Sequence, residues 1–396
     1  MAKIDKLVED YFSPPQKISF DTLYEMVTSI LEQDCRLPNR GDIAEGIVAA
    51  AIVAKLSKRE DGAIGMVTAD DIIQQVMQIQ SMDSVVTNTV PDLTGDHQDT
   101  ISFSIAMPKK PFAALVDPSL VQCLNGEYGG AAKYVNNASM HKFATRLANN
   151  KKSNDILVKA AGTKDQKGTK VDISIVVDGV ARRNQLSLKV KGGEQFAQKT
   201  GKAFSVQEAF WSPLGIDVSS LKSAYEAIVS EIPDGKPFLS RQEIDEGGYL
   251  QKAAEATTLT YKHAYNILES RLDEDRLEIE FVKQLADYIS TGAVGAEAEF
   301  IELVKIIPGG FTRARFGKKF HREMERANLY PVLSLSGSYP KIQIIYEDSE
   351  GNKSVLVQMR AKMERASGTS KLGKRYGVLM RNYLETGPAL YKLAAV

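Results

Sequence analysis

At 396 residues, 43% hydrophobic and 25% charged, the chain is long enough for two or three domains with ordinary buried cores and reads as a soluble globular protein. Its formal charge is zero but unevenly spread: residues 151–204 hold 12 Lys/Arg against 5 Asp/Glu and 311–396 hold 16 against 7, whereas 1–110 hold 10 against 17 and 241–305 hold 7 against 14. Only Cys35 and Cys123 are present, which excludes a disulfide framework and a Cys-x-x-Cys metal knuckle.

The N-terminus opens as an acidic amphipathic helix with Ile4, Leu7, Val8 and Tyr11 on one face, stopped by Pro14 and Pro15. This is not a signal peptide, and it points to a cytoplasmic protein of a bacterium or a phage-infected cell. A second helix is expected over Phe20–Glu32. A third runs from Asp42, its expected N-cap, to Leu56. Its small apolar side chains predict burial, and Ile43–Leu56 is too short to cross a bilayer, so no membrane association is expected. Asp70 and Asp71 start a further helix to about Gln80, and Thr100–Met107 alternates like a strand. Residues 117–150 read as helices broken at Glu127–Gly130, with Asn149–Asn154 as a loop.

Three strands follow: Ile156–Ala160, Lys170–Val177 and Gln185–Lys191, the last two joined as a hairpin through Asp178 and Gly179. Glu194–Gly201 reads as a short helix ended by glycine. From Ser205 to Ile306 the pattern is helical, interrupted at Pro233–Gly235. The C-terminal block contains a hairpin, Lys341–Tyr346 with Ser354–Met359, and a last helix over Arg375–Leu384. The fold class is α+β or mixed α/β. Three parts are expected: 1–204 with an insertion at about 57–150, an acidic helical region 205–306, and a basic α+β region 307–396 with hairpin 341–359.

Chemistry concentrates on the second hairpin. Alternation puts Val171, Ile173, Ile175 and Val177 on one face, with Asp172, Ser174 and Val176 opposite. In the partner strand Leu186, Leu188 and Val190 point inward, and Ser187, Lys189 and Lys191 point the other way. Pairing the strands brings Asp172 towards Ser187 and Lys189 on one exposed face. A carboxylate able to hold Mg²⁺ beside an ammonium is what phosphodiester hydrolysis needs. A cross-strand ion pair on a solvated sheet would place the same residues together.

This acid-then-Ser-x-Lys hairpin resembles the PD-(D/E)-x-K nuclease superfamily, the restriction-endonuclease-like proteins, over roughly Asp42–Leu56 and Ile156–Gly201. The resemblance implies a core of helix, three- to four-stranded mixed sheet and helix, with large helical additions here. It also implies Mg²⁺, for which Mn²⁺ can substitute, and cleavage of DNA. Position by position it makes Asp172 and the helix residue Glu45 metal ligands, Lys189 the catalytic cation, and Gln195 or Gln198 the glutamine of a following helix. Ser187 stands where the family carries an acid. Serine is a poorer Mg²⁺ ligand, so either Glu45 or Glu194 compensates, or the chain is a nuclease-fold protein that binds or assembles on DNA without cutting it.

Elsewhere, His97, His141, His263 and His321 show no ligand spacing. Residues 309–319 interleave aromatics with Arg313, Arg315, Lys318 and Lys319, and Gln358, Arg360 and Lys362 project together from one strand. With Lys191, these cations are candidate DNA contacts. A basic loop of other purpose and a charge-protected edge strand are the plainer alternatives. A homo-oligomer is left open.

Overall fold

The computed structural model describes residues 37–395, apart from 82–84, 161–170, 182–184, 191–194, 234–238, 292–300, 336–338 and 371–372. The two helices expected before residue 37, Cys35, Lys191 and Glu194 lie outside the described residues.

In chain order the first part comprises α1 (Arg40–Ser57), α2 (Ala69–Met77), β1 (Val85–Pro91), β2 (Gln98–Ile105), α3 (Lys109–Leu115), α4 (Asn125–Val135), α5 (Ala138–Ala148), β3 (Asp155–Ala160), β4 (Ile173–Val177), β5 (Val180–Ala181) and β6 (Gln185–Lys189). Next come β7 (Gln195–Thr200), α6 (Phe204–Trp211), α7 (Lys222–Ser230), α8 (Arg241–Glu246), α9 (Tyr249–Ser270) and α10 (Ile279–Thr291). The chain closes with β8 (Ile301–Ile307), β9 (Gly310–Arg315), α11 (Lys318–Arg326), β10 (Asn328–Ser334), β11 (Lys341–Glu347), β12 (Lys353–Ser370), β13 (Gly373–Thr386) and α12 (Pro388–Leu393).

Helix α1 is alanine-rich and largely apolar, which suits a helix packed against core over most of its surface; nearly every residue from Asp42 to Leu56 is buried. Helix α2 starts with a capping box in which the Thr68 hydroxyl accepts from the Asp71 amide while the Asp71 carboxylate accepts from the Thr68 amide.

An eight-stranded mixed sheet has the order β9-β8-β6-β4-β3-β2-β1, with β5 paired to β4. Pairs β2·β3 and β6·β8 are parallel and the others antiparallel. Its inward residues Ile173, Ile175, Val177, Leu186 and Leu188 join α1, α2 and α4 in one core. A second, antiparallel sheet has the order β10-β11-β12-β13-β7. It shares a separate core with α6, α9 and α10. The protein is thus mixed α+β with two cores.

Several sequence expectations give way to tertiary context. Residues 205–291 do not stand apart, because they pack on the C-terminal sheet. Residues 301–315 return to the first sheet beside β6, so its strands straddle the expected boundary at 306. Strands β1 and β2, inside the expected 57–150 insertion, extend that same sheet. The expected helix over Glu194–Gly201 is replaced across Gln195–Thr200 by β7, which completes the ladder of β13. The expected helix over Arg375–Leu384 is also a strand, β13. Near its end Met380, Asn382, Tyr383 and Leu384 are all buried, so both faces are covered and the two-residue alternation that would betray a strand is erased. Strand β12 lies inside its sheet, not at an edge, and pairs with β11 from Lys341↔Arg360 to Glu347↔Lys353 around a bulge.

Helix α4 runs unbroken through Gly129 and Gly130. A Cβ on Gly130 would lie 2.7 Å from the Gly310 carbonyl oxygen and 2.7 Å from an Ile306 methyl. Glycine here brings the helix against the β8–β9 turn rather than ending it. Cys123 is disulfide-bonded.

Candidate functional site

The hairpin β4–β6 pairs Ile173 with Leu186, which puts Asp172 beside Ser187. The Asp172 amide donates to the Leu186 carbonyl at 2.8 Å. Its Oδ2 accepts from the Leu188 amide at 2.6 Å and from Ser187 Oγ at 3.2 Å. Lys189 Nζ lies 3.2 Å from Ser187 Oγ and 3.8 Å from Asp172 Oδ2. Asp172, Ser187 and Lys189 therefore converge. The face is less open than alternation suggests, for Ser187 is 3% exposed and the other two are mostly covered.

The N-terminal end of α1 faces this hairpin with acid. Asp42 is not the N-cap: Asn39, in the left-handed region at φ 38°, precedes the helix, and Asp42 sits in its first turn. It is 3% exposed and accepts from Asn39 Nδ2 at 2.6 Å. Burial pushes the Asp42 carboxyl above its ordinary value, the Asn39 hydrogen bond works against this, and the negative charge of Asp172 adds to the rise. Glu45, three residues on, shares that side of the helix and has one carboxylate oxygen closed off from solvent. Arg40, at the start of α1, is ion-paired with Glu127 of α4. Glu127 is 7% exposed, and its Oε2 has no hydrogen-bond partner among the described residues.

Sequence reasoning missed Asp42, Arg40 and Glu127. The signal for Asp42 was its spacing of three from Glu45 in a helix whose stretch from Ile43 to Ala54 is otherwise Ala, Ile, Val and Gly, where acids on one face call for a common purpose.

Gln195 and Gln198 are carried by β7 into the second sheet, where Tyr383 stands opposite Gln198. Gln198 Nε2 donates to Thr200 Oγ1 at 2.7 Å. Neither belongs to a helix that follows the hairpin. Most of the expected DNA-contacting cations are engaged within the protein. Arg315 and Arg313 lie 3.2 and 3.5 Å from buried Glu302. Arg360 donates through Nε at 3.2 Å to Glu385, and Lys362 lies 2.8 Å from Glu364. Burying Glu302 and Glu385 calls for counter-charges, and the basic strands supply them. Lys318 and Lys319 project from α11 into solvent, with Lys319 3.4 Å from the Ala395 carbonyl.

Among the described residues no group of three or more His, Cys, Asp or Glu side chains is arranged to hold a metal. Asp42 and Asp172 are the acids of this site that could contribute carboxylates to a Mg²⁺ ion, which characteristically takes one or two of them and fills its octahedron with water and substrate phosphate. No helix among the described residues is long and apolar enough to cross a membrane. A scan against protein families finds no match, and no curated protein matches the chain in sequence.

Proposed function

We propose that the chain is a Mg²⁺-dependent deoxyribonuclease with a restriction-endonuclease-like core built from α1 and the β3–β4–β6 strands. The observation that carries this reading is the convergence of Asp172, Ser187 and Lys189 near a buried acid, Asp42, whose carboxyl is pushed up by burial and in part by the charge of Asp172. Asp172, with Asp42 or Glu45 from α1, would hold the metal. When bound, the metal supplies a Lewis acid for the phosphoryl oxygen and an acidified water. Lys189 contributes a positive charge beside that carboxylate. Ser187 and the Leu188 amide both bond Oδ2 of Asp172 and so fix the orientation of its carboxylate.

A second reading is favoured by Ser187 itself. The position that carries an acid in the nucleases bears a hydroxyl whose proton is directed at Asp172. A nuclease-fold protein that binds or assembles on DNA without turnover would have this arrangement.

Incubating the purified chain with supercoiled and linear DNA in Mg²⁺ or Mn²⁺ separates the two. Cleavage that falls at least a hundredfold in both Asp172→Ala and Lys189→Ala supports the enzyme. DNA binding that weakens steeply with salt, without cleavage, supports the second reading. Absence of both sinks the two together.

A further inference from the structure

Strand β1 closes one edge of the eight-stranded sheet, and among the described residues no strand pairs with its outer side. An open edge presents a row of backbone N–H and C=O groups, and natural sheets protect such edges with charge, proline or cover. The other edge strands follow this rule. Strand β9 carries Arg313 and Arg315, and the Arg315 amide donates to Ala394 at 3.0 Å. Strand β10 has Pro331 in its middle, and β7 bears Lys199. Strand β1, Val85-Val86-Thr87-Asn88-Thr89-Val90-Pro91, has no charged residue, and its one proline is its last position.

The sequence of β1 also reads the same in both directions about Asn88 for two residues each side. An antiparallel copy centred there places Thr87 opposite Thr89 and Val86 opposite Val90, in both halves alike. Such self-complementarity is what a two-fold interface requires. The faces agree as well. Val86 and Val90 are half-buried against the first core, so pairing continues that apolar layer across the axis, while Thr87 and Thr89 stay on the outer side. Beside the edge, Val85 is 55% exposed and Met77, at the end of α2, is 36% exposed. Helix α2 is tied to β1 through the Asn88 Nδ2 to Gln75 Oε1 hydrogen bond at 3.4 Å.

We infer that two copies of this chain pair through β1, antiparallel and centred on Asn88, to make one continuous sheet. The occupant of the edge is a second copy rather than a foreign strand, because the residues that would face each other are the same residues.

The test uses the full chain and light scattering coupled to size exclusion at tens of micromolar, where wild type should run at twice the 43.5 kDa chain mass. Thr87 and Thr89 are exposed, so substituting them leaves the fold intact. The double variant Thr87→Lys/Thr89→Lys sets lysines against lysines across the axis, and Thr87→Glu/Thr89→Glu does the same with acids; each alone should run as a monomer. Mixing them sets lysine against glutamate and should restore the dimer mass. A monomeric wild type overturns the inference, as does a dimer that survives in both variants or a mixture that stays monomeric. Far-UV circular dichroism matching wild type, with a single cooperative melt lowered only as loss of the partner requires, excludes misfolding as the cause of dissociation.

Discussion

Neighbouring glycines in α4 make opposite predictions from one physical argument. Replacing either by alanine removes the backbone freedom of glycine in a helix interior, a gain of about 0.5–1 kcal/mol. At Gly129 nothing lies within 4 Å of the added methyl, so Gly129→Ala should collect that gain whole. At Gly130 the methyl would sit 2.7 Å from the Gly310 carbonyl oxygen and 3.0 Å from that of Ile307. These are backbone atoms of the β8–β9 turn and cannot rotate away. Overpacking of this kind costs about 1–3 kcal/mol, so Gly130→Ala should lie about 1–3 kcal/mol below Gly129→Ala. Urea unfolding followed by circular dichroism measures the gap from midpoints at equal slope. Because α4 also holds Glu127 against Arg40 at the head of α1, Gly130→Ala should in addition weaken any Mg²⁺-dependent rise in melting temperature. Equal stabilisation by the two variants would refute the close approach of α4 to the turn.

Asp42→Asn tests the electrostatics of the site. An acid whose folded pKa lies above its unfolded value loses stabilising influence as pH rises through that window and opposes folding once ionised. With chelator present, Asp42→Asn should therefore melt higher than wild type at pH 7.5, and the difference should shrink towards pH 4; a gain that is the same at both values contradicts the buried, like-charged setting of Asp42. Arg59 tests the outer part of the first sheet, where it pairs with Asp99, which is 1% exposed and also accepts from the Asn154 amide and side chain at 2.9 Å each. Arg59→Ala leaves that carboxylate without its cation and should destabilise by about 3–5 kcal/mol. A loss under about 1 kcal/mol by chemical unfolding would show that Asn154 alone suffices.

Local chemistry decided a good deal. The buried α1, the strands β3, β4 and β6, the turn at Asp178 and Gly179, and the inward set Ile173, Ile175, Leu186 and Leu188 are legible because one apolar face and a turn-favouring pair act over short range. That reach extends to bringing Asp172 towards Lys189, since a hairpin fixes its own register. What a residue meets beyond its own hairpin was not legible. Gln198 became part of a strand because β13 offered it a ladder. Arg313 and Arg315 became partners of Glu302 because folding buried that acid beside them. Asp42, which in sequence looks like a helix cap, stands against the charge of Asp172 only once α1 has packed onto the sheet. Periodicity records which way a side chain points, whereas its charge balance depends on neighbours that only the packing of distant segments brings within Coulombic reach.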